Sequence, residues 1–350
     1  MPEDLEGFTC PVPESGSGGS ITLAHGEGGR LMRRLIQESV ISKVANEYLA
    51  PLGDAALLPT DKGRLAFSTD SFVVSPLFFP GGDIGTLAVF GTANDLAVSG
   101  ARPLWLSLSL IIEEGLALSI LERVLASVAQ AAKRVGTRIV TGDTKVVPRG
   151  AADGLFLNTA GVGDVFFELP GAACLEIGDE ILVSGPIGQH GMAVMTSREG
   201  LEFDPPPTSD CAPLIDAVVA LHQAGIPVRT ARDATRGGIA AVLHEWAQAS
   251  ELTLRVNEQE LPVTAEVRGA CEVLGLDAIY VANEGTMMVA VPSGTADDAV
   301  RVLRNVPETA RAVRIGEVQA RSLASVIVHR AFGPEIPLDE PLGAPLPRIC

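Results

Sequence analysis

The 350-residue chain has few aromatics: Phe, Trp and Tyr make up 4%, with only two Trp and two Tyr. That leaves few flat faces on which unpaired bases stack, and argues against a single-stranded nucleic-acid platform. Positive charge is also scarce. Lys and Arg number 26 against 43 Asp and Glu, a formal net charge of −17. So acidic a surface repels phosphate backbones and anionic lipid, so neither nucleic acid nor membrane is expected as a partner. Long apolar runs are missing. The strand-like run Leu104–Ile112 is too short to cross a bilayer and is broken by Ser107 and Ser109. Met1–Ser20 is acidic and then Gly/Ser-rich, without the basic-then-apolar order of a signal peptide. The five cysteines, Cys10, Cys174, Cys211, Cys271 and Cys350, are odd in number and form no CxxC pair, which points to a reducing compartment, the cytoplasm. The histidines show no zinc-ligand spacing, and His244-Glu245 lacks the second histidine of a zinc-protease motif. There is no Walker A segment, and no GxGxxG follows a strand.

An apolar share of 47% is enough for two domains, each with its own core. We read residues 1–20 as a flexible segment, 21–165 and 166–332 as two halves mixing strands and helices, and 333–350 as a mobile tail. In the first half, Leu65–Asp70 and Leu104–Leu110 alternate as strands. Asp83–Ser99 and Leu116–Val135 have helical spacing and stop at Gly100 and Gly136. Arg138–Val140 reads as a short strand and Leu155–Val162 as another. The turn chemistry of Gly161–Asp164 and Leu169-Pro170-Gly171 marks the break between the halves. The second half opens with the strand Glu180–Ser184. Helices are expected at Met192–Arg198, Ala212–Ala224, Gly238–Ser250, Val263–Leu274 and Thr295–Asn305. Intervening strands fall at Leu252–Val256, Thr286–Val291, Ala312–Val318 and Ala324–Val328.

The chemistry gathers at element ends. Asp54, Asp70, Asp95 and Asp143 stand at turns, strand ends and within a helix of small apolar residues. An aspartate after a strand is usually a cap or a turn residue. As a set, short carboxylates suit Mg²⁺ bridging to phosphates. Three glycine-rich turns precede helices: His25–Arg30, Ser184–Gly191 and Asp233–Gly238. Their backbone amides can cradle an anion, although each alone is equally readable as a tight turn with a cap. Lys145 beside Asp143, and Glu284 in Asn283-Glu284-Gly285, are candidates for proton transfer, but their sequence separation gives no reason to pair them. The chain ends Pro341-Leu342-Gly343-Ala344-Pro345-Leu346-Pro347-Arg348-Ile349-Cys350. Prolines remove donors and fix φ, so this end is expected to be extended and unpaired, carrying a thiol that can travel. Fully extended, Gly333–Cys350 spans at most ~60 Å.

The set Gly26–Gly29, Asp54, Ser68-Thr69-Asp70, Asn94-Asp95, Thr141–Thr144, Gly185–Gly191 and Asp233–Gly238 resembles the superfamily of aminoimidazole ribonucleotide synthetase, selenophosphate synthetase and thiamine-monophosphate kinase. The match runs in order from about residue 21 to 330. With Pro347-Arg348-Ile349-Cys350 at the end, the chain resembles the hydrogenase-maturation carbamoyl dehydratases, whose terminal cysteine carries the reacting group. Relatives often pair two aspartates where this chain has Asp54-Ala55.

The resemblance implies a two-domain α+β fold with mixed sheets and packed helices, a homodimer formed through the N-terminal domains, and ATP bound between the domains. Asp54, Asp70, Asp95 and Asp143 would hold Mg²⁺ and phosphates. Gly28, Gly29, Asn94, Thr144, Thr235, Arg236, Gly237 and Gly238 would bind the nucleotide. Lys145 and Glu284 match the pair assigned to proton removal. A carbamoyltransferase would load Cys350 as a thiocarbamate. ATP-dependent dehydration would convert it to a thiocyanate, and an iron-carrying maturation scaffold would accept the cyanide. Two rivals stand beside this reading: a ligase or kinase of the same superfamily acting on a diffusible substrate, and a non-enzymatic carrier that docks maturation partners.

Overall fold

The computed structural model describes residues 25, 29–44, 46–50, 52–61, 63–330, 333–341 and 348–350. Gly28, the segment 1–20 and Cys10 lie outside the described residues.

The first domain contains β1 (Ala56–Thr60), β2 (Gly63–Phe72), α1 (Ile84–Val98), β3 (Ala101–Glu113), α2 (Leu118–Val135), β4 (Arg138–Val147) and β5 (Leu155–Val165). Its sheet runs β1-β2-β5-β3-β4. All neighbours are antiparallel except β3 and β4, and that parallel pair needs the crossover helix α2. Helix α1 starts in a capping box: Asp83 Oδ1 accepts from the amides of Gly85 and Thr86, and Thr86 Oγ1 accepts from the amide of Asp83. Its residues are small or apolar on every side and almost all are buried. One side packs on β2, β3 and β5, and the other meets the second domain. Helix α2 buries Val124, Val128, Ala131 and Ala132, a single stripe at helical spacing, and ends at Gly136 with φ 79°. The outer face of the sheet is uncovered, with Phe67, Trp105, Ile111, Val140 and Val146 all exposed.

The second domain contains β6 (Glu180–Val183), α3 (Gln189–Arg198), α4 (Ile215–Gln223), β7 (Thr230–Asp233), α5 (Gly238–Ser250), β8 (Thr253–Asn257), α6 (Ala265–Leu274), β9 (Met287–Val291), α7 (Ala296–Arg304), β10 (Val313–Gln319), β11 (Val326–His329) and β12 (Glu335–Pro337). Its sheet runs β12-β11-β8-β10-β6-β9-β7. Strand β9, Met-Met-Val-Ala-Val, next to the edge strand, is buried at every position, which explains its unbroken apolar run. Together the domains form the two-domain α+β architecture with mixed sheets. Among the described residues no helix is long and apolar enough to cross a membrane.

Three segments differ from the sequence reading. Strand β4 continues beyond Val140 to Val147, because its pairing with β3 carries the chain through Thr141-Gly142-Asp143. A Cβ at Gly142 would stand 2.0 Å from the carbonyl oxygen of Leu108, so glycine there permits the close strand approach. Thr230–Asp233, expected to lie outside the strands, is edge strand β7. The stretch after Gly333 is paired. Glu335–Pro337 adds to the sheet beside β11, Ile336 and Leu338 pack on the core, and Pro337 sits where an edge tolerates a missing donor. Further on, Arg30 N–H donates to the carbonyl of Pro341 at 2.9 Å.

Candidate active site

Helix α1, the loop before β1 and the end of β7 converge on three aspartates. Carboxylate oxygens of Asp54, Asp95 and Asp233 lie within 4.8 Å of one another. Asp54 comes from the loop, Asp95 from the last turn of α1, and Asp233 closes β7 just before the Thr235–Gly238 turn. Burial is the main cause that pushes all three upward. Asp54 rises to about 6, with Glu245 and Asp70 adding repulsion while Arg232 opposes the rise. Asp95 and Asp233 rise well above the carboxylate range, through burial and then their acidic neighbours. Ser68 Oγ donates to Asp95 Oδ2. Asp70, on β2, adds repulsion to all three. One guanidinium answers this charge: Arg232 lies 3.1 Å from Asp54 and 3.1 Å from Glu245. Burial opposes the charge on Arg232, but its acidic neighbours outweigh burial and hold it charged.

These hard oxygen donors, partly desolvated and under-neutralised, fit a small divalent cation such as Mg²⁺. The set includes Asp233, which sequence reasoning placed only in a glycine-rich turn. The available signal was an aspartate closing a short run before a turn, the same placement that drew attention to Asp70.

Glu284 is buried beside this cluster. Its backbone N–H donates to Asp210 Oδ1 at 3.1 Å, and the next amide, of Gly285, donates to Asp210 Oδ2 at 3.0 Å. Its own Oε1 is buried and has no hydrogen-bond partner among the described residues. Burial, and then Asp233, Asp210 and Asp70, push its carboxyl well above the usual range. A desolvated, protonatable carboxyl next to a metal-type site is what a proton-transfer group requires.

The remaining candidates separate. Thr235, Arg236, Gly237 and Gly238 lead from Asp233 into α5, with Gly237 at φ 80° and Gly238 at φ 59°, and the charge of Arg236 acts on Glu284. Asn94 is buried and engaged with protein: its Nδ2 donates to the carbonyls of Ala212 and Glu284, and its Oδ1 accepts from Leu214 N–H at 2.8 Å. It clasps the two domains. Gly29 abuts the backbone of Pro341, where a Cβ would stand 2.1 Å from the carbonyl oxygen. Asp143, Thr144 and Lys145 lie on the exposed strand β4, with Lys145 Nζ 2.8 Å from Asp143. Through the register Asp70–Thr159–Leu108–Gly142, Asp143 is about three strand spacings, or ~14 Å, from Asp70. Within one chain, therefore, the structure brings together Asp54, Asp70, Asp95 and Glu284, and leaves Asp143 and Lys145 apart from them.

Cys350 is half-buried on the body. Its carbonyl accepts from Val73 N–H at 3.0 Å, and Val73 follows Asp70 by three residues, ~10 Å of extended chain. Ile349 is buried in the main core.

The chain matches the families described as AIR synthase related protein, N-terminal domain, over residues 52–165, and C-terminal domain, over 176–329. It is 47% identical over 338 residues to the carbamoyl dehydratase HypE of Escherichia coli (strain K12), covering 95% of this chain and 99% of that one. A HypE solved in complex with HypF aligns with a TM-score of 0.82 at 42% identity, over 87% of this chain and 99% of its own. A HypE solved in complex with ATP aligns with a TM-score of 0.79 at 44% identity, over 95% of this chain and all of its own, 100%. The acidic site between two AIR-synthase-type domains and the terminal cysteine hydrogen-bonded to Val73 are thus features of a chain that belongs to the HypE carbamoyl dehydratase family.

Proposed function

We propose that this protein dehydrates a carbamoyl group carried as a thiocarbamate on Cys350 to a thiocyanate, using ATP, and so supplies cyanide for the iron of a [NiFe]-hydrogenase. The observation that carries this reading is the docking of Cys350 against Val73, which directly follows strand β2 and lies three residues beyond Asp70. Solved relatives in complex with ATP and with HypF support ATP as co-substrate and a HypF-type carbamoyltransferase as loading partner.

The thiocarbamate is Cys350–S–C(=O)–NH₂. Its oxygen is a poor leaving group. Attack of that oxygen on the γ-phosphate of ATP releases ADP and converts the oxygen to a phosphate ester. Two protons leave the nitrogen, phosphate leaves the carbon, and Cys350–S–C≡N remains. Glu284 is suited to take a proton, since burial holds its carboxyl well above the usual carboxylate range. Asp54, Asp95 and Asp233, with Asp70 beside them, would hold Mg²⁺. The ion would stabilise charge that builds on the transferring phosphoryl group. Gly237 and Gly238 open α5 with amides suited to phosphate oxygens.

Lys145 acts, in this reading, across a homodimer. The exposed apolar face of the first sheet and the fully solvated strand β4 provide the surface, and a second subunit packed there covers Phe67, Trp105 and Val146. Asp143, Thr144 and Lys145 of one subunit then reach the acidic site of the other. Mixing Lys145→Ala and Glu284→Gln proteins tests this. Heterodimers regain turnover when the sites are shared, and stay inactive when each site is built from one chain.

The rival enzyme acts on a diffusible substrate, with Cys350 incidental. Cys350→Ala separates the two: complete loss of coupled ATP turnover supports the carrier role, and unchanged turnover overturns it.

A further inference from the structure

The turn Ser184–Gly191 resembled a phosphate cradle in sequence, but in the fold its histidine faces the chain terminus. His190 is fully buried. Its Nε2 stands 2.9 Å from the carbonyl oxygen of Ile349, and its Nδ1 stands 2.8 Å from Ser209 Oγ. A carbonyl only accepts, so Nε2 carries the proton and Nδ1 accepts from the serine hydroxyl. Burial pushes the imidazole down to about 4, so the ring is neutral and holds this tautomer. Two turns along α3, Arg198 donates through Nε to the carbonyl of Ser75 at 2.8 Å and through Nη2 to the carbonyl of Arg348 at 2.7 Å. Arg348 itself has φ 59°, a left-handed backbone that disfavours a bulky side chain. Its Nε donates to the carbonyl of Val73 at 3.0 Å, and its guanidinium also pairs with Asp153.

We propose that His190 and Arg198 are positioning residues that latch the docked end of the tail and aim Cys350 at the acidic site. Val73 and Ser75 belong to the first domain, and His190 and Arg198 to the second. The latched tail therefore spans both domains, and Arg198 touches the tail and the first domain with one guanidinium. Local bonds do not by themselves favour the left-handed turn at Arg348. It stays in place while these donors hold the carbonyls on either side, so losing one donor set shifts the end of the tail toward solvent. The latch itself is independent of the reaction. Its role in turnover rests on the function proposed above.

The test is the alkylation rate of Cys350 by iodoacetamide in the full chain without nucleotide, read by mass spectrometry of the C-terminal peptide. Exposed Cys174 serves as the internal reference, and buried Cys211 and Cys271 report on folding. In Arg198→Ala and in His190→Gln, the Cys350/Cys174 rate ratio rises at least threefold while Cys211 stays protected, and Arg198→Lys restores most of the wild-type ratio. A smaller rise in both variants, with Cys211 protected, overturns the latch. Should Cys211 react in one variant, the other decides. For carbamoylated protein, Arg198→Ala lowers kcat and leaves KM for ATP unchanged, whereas a merely structural role moves neither selectively. Wild-type protein that never dehydrates its loaded tail defeats the functional reading, and leaves the alkylation result standing.

Discussion

Arg232 Nη2 stands 3.1 Å from Asp54 Oδ1, and Arg232 Nη1 stands 3.1 Å from Glu245 Oε2. One guanidinium thus serves a candidate metal ligand and a carboxylate on α5. Glu245 is in turn 3.9 Å from Arg33, which pairs with Glu340 in the C-terminal stretch. The acidic site, the second domain and the chain end share one line of charges.

Replacing Arg232 with Met removes the guanidinium that Asp54 faces. An uncompensated buried charge costs about 3 kcal/mol. Arg232→Met is expected to lower Tm markedly in EDTA, and millimolar Mg²⁺ is expected to recover more of that loss than it adds to wild type. Equal Mg²⁺ effects in both proteins contradict the assignment.

Raised carboxyl pKa values set the pH dependence. Asp54 moves from 3.8 to about 6, and burial lifts Asp95 and Asp233 well above the usual carboxylate range. Between those limits the folded state binds more protons than the unfolded chain, so stability falls as pH rises through the window. Metal-free protein is expected to lose Tm as pH rises from about 4 through about 6, the Asp54 window. Mg²⁺ opposes that loss and displaces protons on binding near pH 6. Calorimetry in two buffers of different ionisation enthalpy measures this. Metal binding without proton release contradicts it.

Glu284→Gln keeps the shape of a carboxyl that burial already drives toward its neutral form. The fold and nucleotide binding are expected to survive. Dehydration of the loaded tail is expected to fall by about 10²-fold or more. In wild type, the acid limb of the rate profile lies above the ordinary glutamate range. Near-normal turnover in the variant removes Glu284 from proton transfer.

Asn94 holds Ala212, Leu214 and Glu284 through one buried amide. Asn94→Ala leaves those groups unpaired, at a cost of about 2–3 kcal/mol. Denaturant unfolding is expected to show this loss at unchanged m-value, and the loosened Glu284 loop is expected to lower turnover as well.

The legibility of the site in sequence followed the length of the elements. Asp70 lies near the end of a ten-residue strand with clear alternation, and Asp95 sits on a fifteen-residue helix, so both positions were readable. Asp233 closes a strand of four residues at the sheet edge. That run is too short for periodicity, and only its pairing with β9 reveals it. Asn94 illustrates a different limit. A polar residue on an apolar helix looks equally like a ligand or a buried clasp, and the choice depends on carbonyls at 212 and 284 that are distant in sequence. Asp143 groups with the other aspartates by its place just past a strand signal, and Lys145 with it as a neighbour, while within the chain three strand spacings separate Asp143 from Asp70.

The C-terminal end shows how proline-rich composition misleads. Prolines lowered the expectation of pairing from Gly333 onward. Yet Ile336 and Leu338 supply apolar anchors, and at the end the carbonyls of Arg348 and Cys350 accept from body amides. Acceptors survive in a chain whose donors are few. Residues 342–347 lie outside the described part.

The most direct measurement is mass spectrometry of the C-terminal peptide after incubation with carbamoyl phosphate, a HypF-type carbamoyltransferase and ATP. The account predicts a carbamoyl adduct on Cys350 that loses one water only when ATP and Mg²⁺ are present. ATP consumed with the adduct mass unchanged contradicts it.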